Sequence, residues 1–344
     1  MKKISIIFLV IALVLSLTNI VFAQADKVFH WKLQSMTTPT DIESKIVLPD
    51  FCDRIREMSN GRLDITLYNA GELTPSLEVA EALRLGMIDI SYAFPTYFTG
   101  IIPEAAIEMG SMPPLIFESV KDAAMMYNYG GLDDIIRKGF ADYGIVYLST
   151  LVTSNPITFW SKKPMYAVED LRGFKMRTYG YLSKVFSKLG ATPVFLPHEE
   201  VYNAIATGTC DGSQTSSKRY LALKLNEVAP YFYETSVLLN PDDGAMMVSQ
   251  KSWDALPDDL KAIVKSANAQ LLLDLDYYGT SLYGDLLKRF PDLGVTLIRW
   301  SPEETQKIRD VSLTFLDEIA EKSEGNKKGI EIIKEYLREK GYLK

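Results

Sequence analysis

The chain has little of what hydrolases, metalloenzymes and nucleic-acid-binding proteins are built from. Its 344 residues include two cysteines, Cys52 and Cys210, and two histidines, His30 and His198. No Cys-x-x-Cys pair and no His-Glu-x-x-His sequence occurs, so zinc sites and nucleophile-histidine triads lose their usual donors. Gly-x-Ser-x-Gly elbows, phosphate-binding P-loops and Gly-x-Gly-x-x-Gly dinucleotide turns are missing too. There is no excess of basic charge. The formal net charge is −7, which argues against a nucleic-acid or anionic-membrane partner, so any site for an anion must be local. The two cysteines lie far apart and are read as buried free thiols in preference to a disulfide.

Long apolar runs are absent with one exception, at the very start. Lys2 and Lys3 precede an apolar run over residues 4–17, and small residues follow around Ala23 and Ala25. This is the pattern of a secretory leader, cleaved after Ala23 or after Ala25 and implying a periplasmic protein. An uncleaved anchor would share the pattern, but the run is short for a span of about 20 residues. No cysteine nearby could accept a lipid. Losing the leader takes the formal charge to about −9 and leaves about 320 residues, enough for two lobes.

Helical and strand patterns alternate along the remainder, which predicts an α/β protein with largely parallel, doubly wound sheets. Strands are expected over 28–34, 63–68, 88–93, 158–161 and 175–178, and helices over 41–58, 77–85 and 182–189. Residues 78–91 are echoed by residues 200–213. Each copy reads as an amphipathic helix stopped by a glycine, Gly86 or Gly208, followed by a strand opened by an aspartate, Asp89 or Asp211. One copy is assigned to each lobe. Amphipathic helices over 258–287, 302–322 and 329–340, with Ser301 before Pro302 as a cap, are expected to brace the lobes from behind. The expected division is a leader over 1–25, lobe one over 26–150 with 240–275, and lobe two over 151–239 with 276–344. The hinge is placed near 150–155 and 236–240.

Ligands of open α/β sheets lie beyond the carboxyl ends of the strands. That rule brings together Ser35 and Met36, Phe94 and Tyr97, Arg177 and Tyr179, and Gln214 and Thr215, with Trp160 and Asn240 completing the expected set. Arg177 is the one cation among them. Its planar fork suits a carboxylate, although on residue type alone an exposed arginine at a strand end is the favoured reading. His198 could touch a ligand at the cleft edge, but a surface position at the start of a helix is the favoured reading. Tyrosine-rich stretches such as 231–233 and 277–278 are read as packing.

Several stretches together carry a family resemblance. Gly61-Arg62-Leu63-Asp64-Ile65 leads to Ala70-Gly71-Glu72-Leu73, then Glu81-Ala82-Leu83-Arg84-Leu85-Gly86 with Asp89, and Pro103-Glu104-Ala105. A second set comprises Glu169-Asp170-Leu171-Arg172-Gly173-Phe174-Lys175-Met176-Arg177, Leu189-Gly190-Ala191-Thr192-Pro193, Glu200-Val201-Tyr202-Asn203-Ala204 and Gly208-Thr209-Cys210-Asp211-Gly212. In this order behind a leader, they resemble the substrate-binding proteins of tripartite ATP-independent periplasmic (TRAP) transporters. The resemblance implies a two-lobed, hinged periplasmic-binding-protein fold, type II-like. It also implies a small-molecule carboxylate held by Arg177, an ion-driven permease as partner, no cofactor and no catalysis. Gln214-Thr215 departs from the Glu-Asn common in the family and from the Glu-Trp of its 2-oxo-acid branch, which puts a metal-bridged ligand in doubt. Where the sialic-acid branch would place an arginine and a glutamate, this chain has Ile157 and Phe94. With Trp160, Tyr97 and Tyr179, this points to a monocarboxylate with an apolar or aromatic body. A binding protein of an ATP-driven importer, a co-receptor for a membrane sensor and, least of all, a secreted hydrolase stay open.

Overall fold

The computed structural model describes residues 27–153, 157–233 and 242–344. The leader and, of the expected hinge, residues 154–155 and 236–240, Asn240 among them, lie outside the described residues. No helix among the described residues is long and apolar enough to cross a membrane.

Two sheets carry the fold. The first has the order β2-β1-β3-β10-β4, from Phe29–Ser35 (β1), Leu63–Tyr68 (β2), Ile90–Ala93 (β3), Ile145–Val152 (β4) and Asp242–Ser249 (β10). The strand β1 runs parallel to β2 and β3, whereas β10 returns antiparallel between β3 and β4. All four residues of β3 are buried, as expected of a central strand covered by helices on both faces. The second sheet has the order β11-β9-β5-β8-β6-β7. Its strands are Ile157–Ser161 (β5), Lys175–Arg177 (β6), Thr192–Val194 (β7), Gly212–Ser216 (β8), Tyr231–Tyr233 (β9) and Thr296–Ile298 (β11). Each sheet packs its own core. Trp31, Leu33, Ile65 and Met247 lie in the first. Alternation along β5 sends Phe159 and Trp160 to opposite faces of the second sheet. Phe159 stacks on Tyr233 with ring centroids 4.0 Å apart, and Trp160 packs against Tyr220 and Phe232.

The echoed segments are the same corner built twice. Gly86 (φ +71°) and Gly208 (φ +80°) adopt the left-handed conformation that stops their helices, Val79–Leu85 and Val201–Ala206. Asp89 then locks onto β1, its carboxylate accepting from the Lys32 amide (2.8 Å) while its own amide donates to the Lys32 carbonyl (3.1 Å). Asp211 makes the same pair of bonds to Lys175 of β6, at 3.0 and 2.8 Å. Both lysines turn back, Lys32 Nζ onto the Met87 carbonyl and Lys175 Nζ onto the Gly208 carbonyl. Side chain and backbone therefore agree on which strand neighbours which, in both lobes.

The C-terminal third keeps to the expected division along its first helix and departs from it beyond residue 315. The helix Asp258–Arg289 belongs to neither lobe alone: Leu260, Val264, Leu271 and Leu275 enter the first core, whereas Leu286 and the following Phe290 enter the second. The helix expected over 302–322 breaks into Pro302–Leu313 and Leu316–Ala320. Ile308 of the first piece reaches the second-lobe core, but Leu316, Ile319, Ile330, Ile333 and Leu337 pack in the first. Residues from Leu316 onward brace lobe one because the apolar stripe of Glu324–Glu339 finds its complement there and not on lobe two. Cys52 and Cys210 are free and buried, and burial pushes the Cys52 thiol up to about 12.

Candidate functional site

The carboxyl ends of β3 and β6 face each other across the gap between the lobes. Past β3 the chain runs through Phe94 into the short turn Pro95–Phe98, which presents Tyr97. Past β6 it presents Arg177 and Tyr179, past β7 it reaches His198, and past β8 Arg219. Phe94, Tyr97, Arg177, Tyr179, His198 and Arg219 line one small cavity whose free volume is ≈ 10 Å³, room for about one water molecule. The two lobes are closed on each other.

Arg177 is 1% exposed, and everything it donates to is neutral. Its Nε and Nη2 donate to the Leu196 carbonyl at 3.0 and 2.9 Å, and Nη1 donates to the Gln214 carbonyl at 3.3 Å. Nη2 also donates to the Tyr97 hydroxyl of the opposite lobe at 2.9 Å, and the guanidinium lies 5.1 Å from the Tyr179 ring. Burial raises the Tyr97 phenol, so it stays a neutral acceptor. Among the described residues no carboxylate pairs with Arg177. A buried guanidinium supported only by carbonyls and a phenol favours a site that receives an anion, because its desolvation is not offset by an opposite charge.

The other charges in this region are paired across the gap. His198 Nε2 lies 3.1 Å from Asp41 Oδ2, Arg219 Nη2 donates to Glu43 Oε1 at 2.7 Å, and Lys218 Nζ lies 3.0 Å from the same oxygen. Arg219 also sits 5.0 Å from the Phe94 ring. Burial alone would raise the Asp41 carboxyl, but the charges of His198 and Arg219 and the hydrogen bonds from His198 and Thr38 outweigh it. They hold it well below the usual carboxylate range.

Four of the expected residues, Phe94, Tyr97, Arg177 and Tyr179, come together at the cavity. Four others do not line it. Trp160 faces the second-lobe core because β5 is buried on both sides and its even face points away from the gap. Met36 lies in the first core, and the Ser35 hydroxyl is tied to Thr37 at 2.5 Å. Gln214 stands behind Arg177, its Oε1 accepting from the Thr178 hydroxyl at 3.3 Å. The side chain of Thr215 and the whole of Asn240 lie outside the described residues.

His198 and Arg219 were not among the expected site residues, and the favoured surface position for His198 is wrong: it is 4% exposed. The signal that finds both is the same carboxyl-end rule. Applied to β7, which was not expected as a strand, and to a β8 that extends to Ser216 instead of Ser213, it reaches His198 and Arg219.

Comparisons with known proteins converge. The family model DctP, bacterial extracellular solute-binding protein family 7, matches residues 34–323. A monocarboxylate 2-oxoacid-binding periplasmic protein of Nostoc sp. is 28% identical over 294 residues, 85% of this chain and 80% of that one. A TRAP periplasmic solute-binding protein of Pseudoalteromonas atlantica with bound sodium and pyruvate superposes with a TM-score of 0.80 at 26% identity, covering 91% of this chain and 95% of that one. One from Colwellia psychrerythraea with bound calcium and pyruvate gives 0.80 at 25% identity, with the same coverage. Whether a cation fits this cavity is decided by its donors. The described lining side chains are guanidinium, imidazole and aromatic, and among the described residues no three His, Cys, Asp or Glu side chains converge. The donors present do not fit a metal, and no role is assigned to one.

Proposed function

The chain belongs to family 7 of the bacterial extracellular solute-binding proteins, the binding proteins of TRAP transporters, and on that premise we propose that it captures a small monocarboxylate between its lobes and delivers it to a membrane permease. The observation that carries this is Arg177, a buried cation whose partners are all neutral. A ligand carboxylate meeting its fork supplies the missing charge through charge-assisted bonds, displacing the Tyr97 hydroxyl from Nη2. The names of the relatives agree with the chemistry, since one binds monocarboxylate 2-oxoacids and two hold pyruvate. Tyr97 and Tyr179 lie against the guanidinium and Phe94 packs on Tyr97, which favours an acid with an apolar or aromatic body. A micromolar complex requires about −8 kcal/mol, within reach of one desolvated arginine fork and two aromatic faces. The closed cavity has no room for such a guest, so capture requires the lobes to part and close again. The reading includes export with cleavage after Ala23 or Ala25, which would set this cycle outside the cytoplasmic membrane.

Native mass spectrometry of freshly purified mature protein tests the proposal, because closed binding proteins retain their guests. The expected result is one co-purifying monocarboxylic acid per chain, released on mild unfolding. A stoichiometric neutral or cationic guest would contradict it.

A further inference from the structure

The charges bordering the cavity are unequally committed. Arg219 and Lys218, both from lobe two, converge on a single lobe-one carboxylate, Glu43, at 2.7 and 3.0 Å, and all three side chains are buried. His198 is committed to Asp41 at 3.1 Å, with Arg219 Nε 4.0 Å from the same carboxylate. Glu199, farther out, is held by the Ser76 hydroxyl at 2.9 Å. Among the described cavity-lining cations, Arg177 alone meets only neutral acceptors. Yet Arg219 lines the same cavity as Arg177, against the Phe94 ring, and a second guanidinium there would be a ready receptor for a second carboxylate. Glu43 already occupies it.

We propose that Glu43 is a specificity-determining residue: by claiming Arg219 and Lys218 from the opposite lobe, it limits the closed cleft to one negative charge and excludes dicarboxylates. The inference rests on the carboxylate reading above. A second ligand carboxylate near Arg219 would confront Glu43 and Asp41, and two like charges in a desolvated space repel strongly. Glu43 reaches this position because it opens the π-helical turn Glu43–Val47, which follows the carboxyl end of β1. Discrimination therefore operates only as the lobes close.

The test is calorimetric titration of acids matched in backbone, pyruvate against oxaloacetate and butyrate against succinate, into wild type, Glu43→Gln and Glu43→Asp. Wild type is expected to favour the monocarboxylate of its better pair by at least about a hundredfold, and Glu43→Gln to narrow that ratio at least about tenfold by tightening the dicarboxylate. Glu43→Asp, which keeps the charge, should keep the preference. An unchanged ratio in Glu43→Gln, or a wild type that takes both members of a pair equally, overturns the inference while leaving the carboxylate reading standing. A wild type that binds neither series overturns the inference, and the carboxylate reading then stands or falls on the acid that co-purifies. Should Glu43→Gln fail to fold, Arg219→Gln must weaken the monocarboxylate at least about tenfold without admitting the dicarboxylate, and unchanged binding there would overturn the inference as well.

Discussion

At the scale of single residues, the cleft is organised by which charges have partners. Arg177 and Trp160 were expected together and turn out to have opposite roles, because a strand buried on both faces cannot show the gap every large side chain it carries. Asp41 illustrates how far a partner can be from its cause in sequence: His198 lies 157 residues away and Arg219 further still. Its acid form is disfavoured in the folded chain, so the unfolded chain binds the proton more readily. The stability this contributes is fully present above its ordinary value of 3.8 and is lost as pH falls through the lowered folded value. Urea unfolding should therefore show stability dropping as pH falls below about 4, and Asp41→Asn should flatten that drop. An equally steep fall in the variant would show that Asp41 is not the group responsible.

At the scale of elements, the repeated glycine-stop corner was legible because helix period, glycine and aspartate fall within fourteen residues of one another. Three of the short strands were not, although β6, equally short, was. In β7, β9 and β11, three residues each, no alternation can be recognised, and Pro193 argues against a strand until β7 is seen to be the sheet edge. Missing β7 hid His198, and ending β8 early hid Arg219. The C-terminal helices were recognised as amphipathic, but a stripe does not say which core it will meet. The corner itself predicts a measurable cost. An added Cβ at Gly208 meets nothing within 4 Å, so Gly208→Ala should destabilise by conformation alone, about 1 kcal/mol by chemical denaturation. A neutral or stabilising result would mean that the left-handed stop is dispensable.

At the scale of the whole molecule, closure brings together groups that neither lobe holds alone. Tyr97 meets Arg177, Asp41 meets His198, Glu43 meets Arg219 and Lys218, and the helix Asp258–Arg289 spans both cores behind them. With these pairs made, Arg177 is left among the described cavity-lining residues with neutral partners only, and on the proposed reading a carboxylate guest completes it. The most direct test is isothermal calorimetry of wild type and Arg177→Ala against the acid that co-purifies, or against pyruvate and its branched and aryl homologues. Wild type should bind at least one of them, and Arg177→Ala should bind it about 2 to 5 kcal/mol more weakly, roughly thirtyfold or more, with unchanged circular dichroism. The same dissociation constant in both proteins would contradict the account.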